Sequence, residues 1–300
     1  MEHINQLAFI PCWNRPHYLE QCLKRLAACR AQPRYWLFSV DRGDQSCIPA
    51  IQSFMKKREG EVILRKPHGF VGNTYNMIEG YASALALAEQ VGATHINMIE
   101  DDIYCKPGYF EWHREIWMTA PEAFFASACL NQERHLGPVR DMPAAAYKDD
   151  RFQSLGVSYP LWAVREITKH RNVSYYLHPI GYVAKKYPNS EMPPIQAEQA
   201  GLVKRIIEHG GYHGLYPFIP RAWHCGVEGK NQKAKTKQGE LISPERLALL
   251  NADEINAIAE RPCFSDVMYD GEEHGIRYIG DMRLKPRKRG KSGKTTKQRK

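Results

Sequence analysis

The stretch THINMIEDDIYCKPGYFEW, residues 94–112, decides the fold class. Residues 94–99 (THINMI) read as a buried strand, too short for a helix. The strand runs straight into three carboxylates, Glu100, Asp101 and Asp102. Three adjacent acids at the end of an apolar strand are costly to hold unless positive charge compensates them. In a parallel α/β sheet, ligands bind beyond the carboxyl ends of the strands. A hard divalent cation with oxygen ligands is the natural partner for such a cluster. An exposed acidic turn or a helix cap is the plainer reading of the same residues.

Working outward, residues 4–11 are mostly apolar (Leu7, Ala8, Phe9, Ile10) and end at a proline, as a buried strand does. Residues 15–30 carry apolar side chains at 19, 22, 23, 26, 27 and 29, a helical stripe opened by Pro16. Residues 35–40 read as a second buried strand, stopped by Asp41, Arg42, Gly43 and Asp44. A helix is predicted over 48–58, a short strand over 61–64, and an Ala-rich helix over 73–90 that closes at Gly92. Strands alternating with helices imply an α/β fold with a mostly parallel central sheet flanked by helices.

The second half is less regular. Residues 124–130 read as a strand, 131–160 as loop, 161–163 as lying near a strand, and 166–172 as a short helix. A helix over 196–209 closes at Gly210 and Gly211. Residues 229–239 (GKNQKAKTKQG) are polar and lysine-rich. Residues 243–259 predict a helix with Ser243 as N-cap and Pro244 at its first position, and 264–282 a hairpin around Asp270 and Gly271. The expected organisation is an α/β domain over 1–239, a helical and hairpin extension over 240–284, and a basic, disordered tail over 285–300.

The chain carries 42 Lys and Arg against 33 Asp and Glu. Nine of those cations lie at 285–300, a segment without acids, so the remaining body is neutral. Such an arm suits sequence-independent contact with phosphates. No run of about 18 apolar residues occurs, and residues 1–9 lack the basic and apolar regions of a secretory signal. The eight cysteines show no CxxC pairing. A cytoplasmic protein with reduced, mostly buried thiols is therefore expected.

Three strand ends carry more than the acidic triplet. Pro11, Cys12, Trp13, Asn14, Arg15 and Pro16 follow the first strand, and Asp41 to Asp44 the second. The loop His68, Gly69, Phe70, Val71, Gly72, Asn73 leads into the helix that bears Asn76. In this order the sequence resembles the GT-A glycosyltransferases over residues 7–235. The resemblance implies a Rossmann-like GT-A fold, a nucleotide-sugar donor with UDP-sugars foremost, and Mn2+ or Mg2+. It implies donor contacts from Pro11, Arg15, Asp41, Gly72, Asn76, Glu100 and Asp101, and direct metal ligation by Asp102.

Two later segments extend the likeness. Residues 197–217, AEQAGLVKRIIEHGGYHGLYP, are similar to the helix that many inverting members place beside the acceptor. Glu198, Gln199, Leu202, Arg205, Gly211 and Tyr212 fall at the family's positions, with Gln199 where the catalytic Asp stands. Glutamine cannot accept a proton. The implied base is Glu198, or another carboxylate such as Glu191, or there is none, as in a retaining enzyme; Asp101 completes the catalytic set. Glu198 also reads as a first-turn residue complementing the helix dipole. After the next strand the resemblance makes His224 a second metal ligand. The lysine-rich loop behind it, with Lys230, Lys233, Lys235 and Lys237, would be a lid over the diphosphate.

The tail, with Lys285, Arg287, Lys288, Arg289 and Lys291, turns the acceptor toward DNA. The analogy is with phage enzymes that glycosylate hydroxymethylated pyrimidines in the host cytoplasm. A base held in duplex must be flipped out, and Trp162, Tyr175, Tyr176 and Tyr182 are the candidates to stack on it. Three other readings stay open: a peripheral enzyme of envelope glycans held to anionic lipid by the tail, a non-catalytic nucleic-acid-binding module favoured by Gln199, and a nucleotidyltransferase.

Overall fold

In the computed structural model, residues 4–71, 73–129, 145–188, 199–217, 220–224 and 277–278 are described. The chain opens with β1 (Gln6–Cys12), α1 (Pro16–Ala27), β2 (Tyr35–Val40), α2 (Ile48–Met55), β3 (Glu59–Leu64), α3 (Thr74–Val91) and β4 (His95–Met98). β3, β2, β1 and β4 lie side by side in that order, all parallel.

β1 is buried along its whole length. Leu7 and Phe9 belong to the core on the side of α3, with Met77, Ile78 and Tyr81. Ala8, Ile10 and Cys12 belong to the opposite core, with Leu19, Cys22 and Ile51 of α1 and α2. A strand covered on both faces has no polar side to show, so it reads as a continuous apolar run rather than an alternation. The close seat of α3 on β1 depends on Gly80, where a Cβ would stand 2.3 Å from Phe9 Cζ.

The chain continues with β5 (Ile103–Cys105), α4 (Tyr109–Thr119), β6 (Phe125–Ser127), β7 (Ala145–Asp149), β8 (Val157–Pro160), α5 (Leu161–Thr168), α6 (Val173–Leu177) and α7 (Pro179–Lys186). Then come α8 (Gln199–Gly210), β9 (Gly214–Pro217), β10 (Ala222–His224) and β11 (Arg277–Tyr278). The sheet grows past β4 in the order β8, β6, β9, β7, β11. β8 runs antiparallel to β4 and β6, and β7 antiparallel to β9. Five of the eight pairings are parallel, so the expected α/β class with a mostly parallel sheet is what the chain adopts. β5 and β10 pair separately, as a two-stranded ribbon.

The structure adds to or departs from the sequence reading at three places. Residues 131–160, read as loop, contain β7 and β8, which are too short for a periodic signal. Residues 161–163, expected near a strand, are the first turn of α5, which starts directly after Pro160. Residues 109–119 form α4, a helix that the sequence does not signal. Its buried face is made of Tyr109, Phe110, Trp112, His113, Ile116 and Trp117, side chains of modest helix propensity that packing holds in place. The Trp117 indole N–H donates to Ser158 Oγ at 2.9 Å, so this large side chain is buried without an unpaired donor.

The domain boundaries at 239 and 284, the helix over 243–259, the tail, and the hairpin over 264–282 apart from β11 lie outside the described residues. No helix among the described residues is long and apolar enough to cross a membrane. The six described cysteines are free and buried.

Candidate active site

β1 and β4 end at one edge of the sheet. Phe9 pairs with Met98, and the Ile99 N–H donates to the Phe9 carbonyl at 2.9 Å. Beyond this point the chain leaves the sheet, and the acidic triplet begins. After β1, Asn14 takes a positive φ of 42°, a conformation that asparagine tolerates better than most residues. The turn places Arg15 directly before α1, whose first residue is Pro16.

Arg15 reaches across to the triplet. Its Nε donates to Asp101 Oδ2 at 3.2 Å and its Nη2 donates to Asp101 Oδ1. Its Nη1 donates to Asp102 Oδ2 at 2.7 Å. The antiparallel pairing of β10 with β5 sets His224 opposite Ile103. His224 Nε2 thereby stands 3.2 Å from Asp102 Oδ2, although the two residues are 122 positions apart. Asp101 and Asp102 are only 2% and 3% exposed, so their charge must be balanced locally. Glu100 is half-buried.

The carboxylates differ in proton affinity. Burial pushes Glu100 up to about 7, and the Asp102 charge adds to the rise. Burial raises Asp101 as well, against the pull of Arg15. Burial would raise Asp102 too, but His224 and Arg15 outweigh it and hold Asp102 well below the usual carboxylate range. Asp102 is thus the carboxylate most firmly held as an anion.

The residues fit a divalent ion. Asp102 Oδ1 is buried and has no hydrogen-bond partner, which leaves a lone-pair position unused. Among the described residues, Arg15 and His224 are the cations seen at Asp101 and Asp102. Carboxylate oxygens suit Mn2+ or Mg2+. Among the described residues, no group of three or more His, Cys, Asp or Glu could hold a metal ion. An ion held by Asp102 and His224 would complete its shell from water and phosphate oxygens.

A second pole lies at the end of β2. His68 Nε2 stands 2.8 Å from Asp41 Oδ1, and the Phe70 N–H donates to His68 Nδ1 at 3.2 Å. Nδ1 therefore accepts, which assigns the ring proton to Nε2, the atom facing Asp41. The Arg42 N–H also donates to Asp41 Oδ1, at 3.0 Å. The Arg42 guanidinium lies 5.1 Å from the centroid of the Trp13 ring, which is 40% exposed. No sequence pattern marks His68 or Trp13. One histidine among twelve has no spacing signature, and only the folded loop shows His68 meeting Asp41.

The other expected site residues are placed as follows. Asn76, expected to line the donor, is buried; it accepts from Ser39 Oγ at 2.7 Å and donates to the Ser39 carbonyl at 3.2 Å, tying α3 to β2. Pro11 is buried inside β1 opposite Ser39 rather than in the loop beyond it. Gln199 is buried and donates to the Tyr81 hydroxyl at 3.2 Å, which donates to Tyr159 at 3.4 Å. The aromatic candidates for base stacking all make packing contacts with neighbouring rings. Tyr175 and Tyr176 are buried, Tyr182 lies against Tyr175 and His170, and Trp162 lies against Phe124 and Tyr212. Gly72, Glu191, Glu198, Lys230, Lys233, Lys235, Lys237, Lys285, Arg287, Lys288, Arg289 and Lys291 lie outside the described residues.

No protein-family model matches the chain, and no curated protein matches it. Solved structures overlap it in part. A mannosyltransferase, PcManGT from Pyrobaculum calidifontis in complex with GDP-Man and Mn2+, is 12% identical over 74% of this chain and 59% of its own, with a TM-score of 0.43. S. aureus TarS 1-349 in complex with UDP-GlcNAc is 10% identical over 54% of this chain and 47% of its own, with a TM-score of 0.42. A cytidylyltransferase from Leptospira borgpetersenii is 11% identical over 62% of this chain and 72% of its own, with a TM-score of 0.34. The chain thus spans about half to three-fifths of the length of the two glycosyl-donor complexes.

Proposed function

We propose that this chain is a metal-dependent glycosyltransferase that moves a sugar from a nucleotide-sugar donor to a hydroxymethylated pyrimidine of DNA. The observation that carries the reading is the 3.2 Å approach of His224 to Asp102, at the sheet edge where Arg15 also converges. Asp102 and His224 are the residues that would hold Mn2+ or Mg2+. When bound, the ion supplies charge stabilisation for the departing nucleoside diphosphate. Asp41, oriented by His68 and the Arg42 amide, accepts hydrogen bonds from the base or ribose. The exposed Trp13 ring offers an apolar face to the nucleotide.

Gln199 is engaged with Tyr81 and has no basic oxygen, so it removes no proton. In an inverting reaction the acceptor hydroxyl proton goes to Glu198, a step worth roughly 10²–10⁴-fold in rate. The DNA acceptor is supported by the basic segment at 285–300, which suits phosphate contact.

The test is label transfer from a panel of nucleotide sugars, with Mn2+ or Mg2+, to DNA containing hydroxymethylcytosine or hydroxymethyluracil. Transfer is expected with modified DNA and not with unmodified DNA. Asp102→Ala should abolish both transfer and metal-dependent donor binding. An Asp102→Ala enzyme still active in EDTA would overturn the metal site. Donor hydrolysis without labelling of any modified DNA would retain the glycosyltransferase and discard this acceptor.

A further inference from the structure

We infer that Arg15 makes divalent-ion binding depend on the nucleotide: its guanidinium is the resident cation of the acidic site, and an ion gains Asp102 fully only when a diphosphate draws Arg15 away. The inference rests on the metal-dependent nucleotide site proposed above and assigns it a switch residue.

The geometry divides the labour between the two buried acids. Both oxygens of Asp101 are taken by the Arg15 fork, through Nε and Nη2. Asp101 is therefore the anchor of Arg15 rather than a ligand. The third nitrogen, Nη1, lies 2.7 Å from Asp102 Oδ2, the oxygen that also faces His224 Nε2. An ion set between Asp102 and His224 must displace this contact and come close to a fixed positive charge. Asp102 Oδ1, buried and without a hydrogen-bond partner among the described residues, stays open to it.

Exposure shows which end can move. The Arg15 side chain is 25% exposed, against 3% and 4% for the side chains of Asp101 and Asp102. The carboxylates are fixed by burial, while the guanidinium is the partly exposed partner. A diphosphate brings paired oxygens that match the fork, so Arg15 can exchange Asp102 for phosphate and keep its hold on Asp101. The same diphosphate gives the ion oxygen ligands. The ion and the nucleotide then favour each other by one shared factor, as linkage requires.

The test is titration of Mn2+ into the full chain, with free Mn2+ read by electron paramagnetic resonance, alone and with UDP or GDP. For the native chain the nucleotide should tighten Mn2+ at least about tenfold, inside the usual range of coupling. The double variant Arg15→Met with Asp101→Asn removes one positive and one negative charge together and leaves Asp102 and His224 in place. It should bind Mn2+ alone about tenfold tighter than the native chain, with the nucleotide effect reduced by a similar factor. If that variant fails to fold, Arg15→Lys serves; an ammonium holds one carboxylate at a time, and Mn2+ affinity should rise by a smaller factor. Unchanged Mn2+ affinity in the folded variant, or native Mn2+ binding equally tight with and without nucleotide, overturns the role of Arg15 alone. Absence of Mn2+ binding by the native chain even with UDP or GDP overturns the metal-dependent site itself.

Discussion

His68 shows how a single side chain sets the state of a site. With Nδ1 accepting from the Phe70 amide, its Nε2–H is committed to Asp41, and that carboxylate is held in one orientation. A hydrogen bond to a charged group contributes about 1.5–3 kcal/mol. His68→Ala is therefore expected to weaken nucleoside diphosphate binding by at least about tenfold, raising KM with little change in kcat. His68→Gln, which keeps an N–H donor, should stay within a few-fold of the native chain. Calorimetric titration with the nucleotide checks both; equal affinity of the alanine variant would reduce His68 to a packing residue. At this scale the sequence singles out Arg15, Asp102 and His224 by residue type and by their place near strand ends, without showing what each one meets. It is silent on His68 and on the contact of Asn76 with Ser39. Whether a polar side chain faces a ligand or a neighbouring strand depends on which residue lies opposite, and Ser39 is 37 positions away from Asn76.

α3 shows the same at the scale of an element. Its Ala-rich sequence predicts the helix and its Gly92 stop, and Gly92 indeed closes it in the left-handed conformation. The reason for Gly80 in its middle is tertiary, because the helix lies so close to β1 that a methyl group would strike the Phe9 ring. Gly80→Ala should gain up to about 1 kcal/mol of helix propensity but lose about 1–3 kcal/mol to overpacking. The net expectation is a lower urea midpoint with an unchanged slope. A higher midpoint would show that α3 can withdraw from β1 without loss. β7 and β8 are the elements the sequence conceals. Strands of five and four residues present too few side chains for a periodicity to register, and their place is settled by the neighbours they join.

For the whole molecule, buried histidines tie stability to acidity. Burial lowers His95 to about 4 and His113 to about 3. Both lie below the ordinary value of about 6.5 that the unfolded chain has. The folded state therefore stays neutral at these sites while the unfolded state takes up protons. Their contribution is fully present above about pH 6.5 and is lost as pH falls toward the folded values. Between pH 7 and pH 5 each should cost about 2 kcal/mol. His113→Phe, which keeps a ring among those of Tyr109 and Trp112, should remove its own share of this loss, about 2 kcal/mol. Urea unfolding at the two pH values measures it, and an undiminished pH dependence in the variant would move the cause to other groups. The local sequence by itself determined the parallel α/β half and its acidic strand end, because a strand buried on both faces and a helix with one apolar face carry their environment in their own composition. Only the tertiary structure decided that His224 meets Asp102, that Arg15 bridges two of the acids, that His68 holds Asp41, and that Asn76 and Gln199 turn inward. Those are pairings between residues 27 or more positions apart, set by strand register and helix seating, which no local pattern encodes.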